Sequence, residues 1–118
     1  MDRPIAPNEA AIVRWLLNNA PVRDVTPYFA APPEGLRVVG GCDSGCTSLF
    51  FQHRPYEAET VMIADAVAVY PDGQQAGLLL WGAEGKIVWL EVHDCHPDSS
   101  HRTPEIANLR IWEHLFQE

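Results

Sequence analysis

Positive charge is scarce in this sequence and nowhere gathered. Eight Lys and Arg stand against sixteen Asp and Glu, a formal net charge of −8. Surfaces that grip nucleic acid or anionic membranes need clustered cations to displace counterions or meet headgroups, so both classes of partner are excluded. Long apolar runs are missing too. The longest are broken by Asp65 or Gly82, well short of the roughly 20 residues a membrane span needs. The opening stretch MDRPIAPNEAAIVRW carries acids and prolines where a secretion signal has a basic start and an apolar centre, so the expected location is the cytoplasm. Cysteine is sparse, with Cys42, Cys46 and Cys95 alone. Three cannot all pair within one chain, and in a reducing compartment they point to thiols or metal ligands before disulfides. There is no internal repeat and no low-complexity tract.

What is present suffices for one domain over residues 1–118. A content of 47% hydrophobic residues is enough to bury one core, and the length leaves no room for a second. Asn8 is expected to cap a helix from Glu9 to Asn19, where Ile12, Val13, Trp15, Leu16 and Leu17 form an apolar stripe and Pro21 marks the stop. Pro21, Pro27, Pro32 and Pro33 punctuate the next segment, which reads as a short helical turn around 24–29 and then an irregular connection.

From Leu36 the apolar period becomes two. Five strands are expected, at about 36–42, 46–53, 61–70, 76–82 and 86–94. Asp43-Ser44-Gly45 and Ala83-Glu84-Gly85 have the character of three-residue hairpin loops. In Tyr70-Pro71-Asp72-Gly73, proline presets one turn position and glycine relieves the last. Short loops make neighbours antiparallel, so the expected class is α+β, an antiparallel meander of about five strands with an N-terminal and a C-terminal helix. The C-terminal helix is placed after Thr103 as N-cap and Pro104, with Ile106, Leu109, Trp112, Leu115 and Phe116 near a 3.6 period.

Closing the last hairpin on three residues pairs Trp81 with Ile87 and Leu80 with Val88. One face then carries Leu78, Leu80, Val88, Leu90 and Val92, and the other Leu79, Trp81, Ile87, Trp89, Glu91 and His93. The two helices covering different parts of the sheet account for both apolar faces. A partner or a second copy on the tryptophan face is the other explanation.

A meander brings the end of strand one, the start of strand two and the end of strand five to one end of the sheet. Cys42, Cys46, His93, Cys95 and His96 then form a candidate metal set, suited to a tetrahedral zinc held by thiolate and imidazole. The C-x3-C spacing followed far downstream by H-D-C-H is weaker than two C-x2-C knuckles, and free thiols beside solvated histidines explain the same residues. A Cys42–Cys46 disulfide and a Cys95 nucleophile activated by a flanking imidazole are further readings. No oxyanion donor or orienting carboxylate can be placed with Cys95, and no cofactor other than zinc is indicated. Asp65, and Glu91 beside His93, suggest a small acidic pocket or simply a solvent-facing edge. His53 lies away from the cluster, and Gly40-Gly41 has no following helix to make a phosphate loop and reads as a bulge or close approach.

The stretch Arg37-Val38-Val39-Gly40-Gly41-Cys42-Asp43-Ser44-Gly45-Cys46-Thr47-Ser48, with Ile63-Ala64-Asp65-Ala66, Asp72-Gly73, Gly77-Leu78-Leu79-Leu80 and Gly85-Lys86-Ile87-Val88-Trp89-Leu90-Glu91-Val92 downstream, resembles small bacterial proteins. These carry a C-x-C-G-C-P-S-like hairpin followed by a D-G-x-L-x-x-L-E strand. The likeness covers roughly residues 24 to 110 and implies a fold rather than an activity. Ser44 stands where the pattern has its middle cysteine, and Thr47 where it has proline. Any metal use implied by the likeness would need Cys95 or a histidine as a substitute ligand.

Small size, acidity and the lack of a catalytic constellation make a non-enzymatic binding or interaction module the leading expectation. Its partner would be a protein, basic by charge complementarity, with a homodimer also allowed. A zinc-stabilised domain and a thiol enzyme or redox sensor are the alternatives.

Overall fold

The computed structural model describes residues 2–41, 48–53, 59–94 and 103–112. Helix α1 spans Pro7–Asn19. It starts two residues earlier than expected: Ala6 is the N-cap, Pro7 takes the first helical position, where its missing N–H costs nothing, and Asn8 instead donates from Nδ2 to the Pro104 carbonyl at 3.2 Å. Glu9 closes the first turn by accepting the Ala6 N–H at 2.8 Å and takes both guanidinium nitrogens of Arg3 at 2.8 and 2.9 Å. Those Arg3 hydrogen bonds are the main reason the Glu9 carboxyl is held below its ordinary value.

The strand-forming half of the chain folds into two antiparallel sheets. Strand β1, Arg3–Pro4, pairs with β2, Arg37–Val38. The second sheet has six strands: β3 (Gly40–Gly41), β4 (Leu49–Phe50), β5 (Val61–Val69), β6 (Gln75–Ala83), β7 (Lys86–Asp94) and β8 (Leu109–Arg110), in the spatial order β3-β4-β7-β6-β5-β8. The expected first strand is therefore split at Val39, one half serving each sheet. The meander holds for β5, β6 and β7 only. Strand β4 pairs with β7, Leu49 opposite Leu90 and Phe50 opposite Trp89, so the connection between β4 and β5 crosses two strands. Its length of ten residues permits this, where a tight loop would have forced neighbours together.

The C-terminal helix expected from Thr103 is not formed over residues 103–111; of the described residues after Thr103 only Trp112, the last, is α-helical. Asn108 turns the chain by accepting the Glu105 N–H on Oδ1 and donating its own N–H to the Glu105 carbonyl, both at 2.9 Å. Leu109–Arg110 then adds to the open edge of β5, Ala68 opposite Leu109 and Val67 opposite Arg110. An open edge offers unpaired N–H and C=O groups that a segment alternating exposed and buried residues can satisfy, and here it outcompetes the helical period. Leu109 is buried while Ile106, on the same supposed helical stripe, is 43% exposed.

Two turns shape the central hairpins. Tyr70 accepts the Gly73 N–H at 2.9 Å, with Gly73 at φ 87°, as its sequence implies. The second hairpin closes on two residues rather than three, Ala83 opposite Lys86, with Glu84 at φ 50° and Gly85 at φ 79°. Positive φ at both central positions is the type I′ geometry that matches strand twist. The ladder then shifts register, Gly82 facing Ile87 and Trp81 facing Trp89, which leaves Val88 as a bulge. Ile87 is thereby turned to the face opposite the tryptophans, correcting the expected pairing.

That opposite face holds the core. Ile12, Val13, Leu16 and Leu17 of α1 pack in one cluster with Ile63, Ala64, Ala66, Leu78, Leu80 and Leu90. Tyr28, on the 3-10 turn Thr26–Phe29, lies over Gly82.

Candidate functional site

The sheet face turned away from α1 is organised in rows, because directly paired residues share a face. The first row is aromatic. Phe50, Trp89 and Trp81 run across β4, β7 and β6 with ring centroids 5.4 and 5.5 Å apart and interplanar angles of 16° and 17°. Met62 pairs with Trp81 and extends the row onto β5. Two residues further along, about 7 Å at strand rise, lies a row of Glu91, Leu79 and Asp65. The next contains His93, Gly77, Val67 and Arg110.

Both carboxylates in the middle row are held by indoles. Trp81 Nε1 donates to Glu91 Oε1 at 3.2 Å, and Trp112 Nε1 donates to Asp65 Oδ1 at 2.8 Å. An indole N–H is a donor only and fixes the direction of the carboxylate that accepts it. Neither acid is thus a merely solvated edge residue. Trp112 lies two residues beyond Arg110, which faces Val67 at the end of β8; there the chain has left the strand and Trp112 is helical. Among the described residues neither Asp65 nor Glu91 has an ion-pair partner.

Beside Asp65, a cleft of about 310 Å³ opens at the outer edge of β5. Asn19, the last residue of α1, with Ala20 and Val22 after it, walls one side, and Ile111 and Trp112 the other. The chain after α1 is fixed there by an isolated bridge of Pro21 with Ala64, the Asp65 N–H bonding the Ala20 carbonyl at 3.1 Å and the Val22 N–H bonding the Ile63 carbonyl at 3.1 Å. A second cavity of about 280 Å³ lies near the β6–β7 hairpin, lined by Tyr28, Leu36, Phe51, Gly85, Lys86 and Ile87.

Of the candidate metal set, His93 alone falls within the described residues. It sits on β7 opposite Gly77, exposed, on the aromatic face. Cys42, Cys46, Cys95 and His96 lie outside them, as does the Cys42–Thr47 motif that carries the family resemblance. Among the described residues no three His, Cys, Asp or Glu side chains are grouped to hold a metal ion. The topology does make β4 and β7 direct neighbours. Buried Ser48 locks them together, its Oγ accepting the Val92 N–H at 2.9 Å and donating to the Val92 carbonyl at 3.3 Å. His53 is exposed beyond the other end of β4.

Comparison with family models, curated proteins and solved structures returns no match. No helix among the described residues is long and apolar enough to cross a membrane.

Proposed function

We propose that this protein is a non-enzymatic interaction module that meets a basic protein surface through the aromatic face of its six-stranded sheet. The observation that carries this reading is the stacked Phe50–Trp89–Trp81 row lying directly beside the Glu91–Leu79–Asp65 row. Tryptophan rings supply large rigid contact area and accept cations on their faces, and the two carboxylates give that area a negative sign. The one described α-helix covers the opposite face. A second copy of the chain is the weaker occupant, since each copy brings a net charge of −8 and like charges oppose association.

Leu79→Arg tests this directly. Leu79 is half-buried at the centre of the acidic row, so arginine there meets solvent in the free protein and a like charge in the complex. Immobilised wild type is expected to retain a basic protein from its source lysate at low salt, to release it near 0.5 M salt, where screening extends over only about 4–5 Å, and to lose it in the Leu79→Arg variant. Retention that is equal in the variant, or indifferent to salt, overturns the reading.

A further inference from the structure

The cleft beside Asp65 has a composition of its own, separate from the aromatic row. Its floor carries a carboxylate with no cationic partner among the described residues. One wall is the end of α1, whose last turn holds no basic residue. Helix C-termini present carbonyl oxygens and the negative end of the macrodipole, which normally attract Lys, Arg or His. The other wall includes the Trp112 indole, the ring best suited to sit against a cation. Among the described residues no basic side chain lines the cleft. Arg23 and Arg110, which adjoin the lining residues in sequence, are engaged elsewhere: Arg23 Nε donates to the Met62 carbonyl at 2.8 Å, and Arg110 Nη1 to the carbonyls of Ala107 at 2.8 Å and Leu109 at 2.7 Å. Three features therefore favour positive charge in one place. The volume of about 310 Å³ lies at the small end for ligand sites, room for one side chain or a small amine.

We propose that this cleft binds an organic cation, a guanidinium or alkylammonium group, with Asp65 as counterion and Trp112 as the wall that orients it. The Trp112 N–H on Oδ1 leaves the rest of the carboxylate to accept from the ligand, and the planar guanidinium suits such a site better than a compact ammonium. The ligand is either a free small guanidine or an arginine side chain presented by a protein.

The test follows the Trp112 indole N–H resonance, assigned with Trp112→Phe, during titration with agmatine, with the blocked peptide Gly-Arg-Gly, and with its neutral counterpart Gly-citrulline-Gly. A saturable shift is expected with one or both cations and none with citrulline. Agmatine alone indicates a free ligand, and the peptide a protein side chain. Asp65→Asn keeps an acceptor for Trp112, and an unchanged spectrum elsewhere confirms its fold. It is expected to weaken binding about tenfold or more, the factor lost with a charge-assisted hydrogen bond. No saturable shift from either cation, an equal shift with citrulline, or unaltered affinity in Asp65→Asn overturns the proposal. Phe50→Ala serves as the control that separates this site from the sheet-face contact, because Phe50 belongs to the aromatic row, lies on β4, three strands from Asp65 on β5, and does not line the cleft.

Discussion

Gly82→Ala is a sharp test of how the aromatic hairpin is held. Gly82 lies on β6 next to Trp81, on the core side of the sheet, under the ring of Tyr28. A β-carbon built there would stand 2.4 Å from Tyr28 Cε1, 2.7 Å from Cζ and 2.8 Å from the hydroxyl. These distances are more than half an ångström inside van der Waals contact, and Tyr28 is 8% exposed on a 3-10 turn, with little room to withdraw. Overpacking of this kind costs about 1–3 kcal/mol. For a chain of this size that is a fall in Tm of about 4–12 °C. Urea unfolding followed by tryptophan fluorescence should give a lower midpoint with an unchanged slope, since the surface exposed on unfolding stays the same. Tyr28→Leu removes the offending ring. In a double-mutant cycle the combined variant should lose less than the two single losses added, with a coupling of about 0.5–3 kcal/mol. A Gly82→Ala variant within about 0.5 kcal/mol of wild type, or strict additivity with Tyr28→Leu, would refute the packing described.

Two further predictions concern the frame around the sheet. Ser48→Ala strips the buried hydroxyl that serves both the N–H and the carbonyl of Val92, and should cost about 1–3 kcal/mol in denaturant unfolding; a neutral result would mean that Ser48 does not fasten β4 to β7. Glu9 has its folded-state pKa lowered, chiefly by Arg3, so its contribution is present above the unfolded carboxylate pKa of about 4.3 and is lost as pH falls through the lower folded value. Glu9→Gln should therefore be less stable than wild type near neutral pH, with the gap closing below about pH 4, and a gap constant with pH would remove the Arg3–Glu9 latch from the account.

Much of the fold was legible in the residues, and the misreadings have specific causes. Helix α1, the turn at 70–73 and the strands near 61–70, 76–82 and 86–94 follow from apolar period and turn chemistry. The placement of Leu79, Trp81, Trp89, Glu91 and His93 on one face was also correct. The pairing that stacks Trp81 on Trp89 was not, because it depends on Val88 bulging out, and a bulge leaves no mark in alternation. Strand β4 was placed beside β5 on the assumption of a meander, and a connection of ten residues lifts that constraint. The segment after Thr103 has helical spacing at Ile106, Leu109 and Trp112, and over Leu109–Arg110 tertiary pairing with β5 overrides it. That same error hid the cleft, because the approach of Trp112 to Asp65 depends on Leu109–Arg110 pairing with β5 just before it. Asp65 inside an apolar strand was the available signal, since a lone carboxylate in such a place needs a donor. The Cys and His set, apart from His93, lies on residues outside those described.

The most direct test of the sheet-face reading is photo-crosslinking from position 79. Replacing Leu79 with benzoylphenylalanine puts a neutral reactive ketone between the aromatic row and the two carboxylates, and the same group at exposed Ile106 serves as the control. Irradiation in lysate of the source cells at low salt should give one principal adduct with a basic protein from position 79, lost at high salt and absent from position 106. An adduct with a second copy of the chain, equal adducts from both positions, or none from position 79 would contradict a basic partner on the aromatic face.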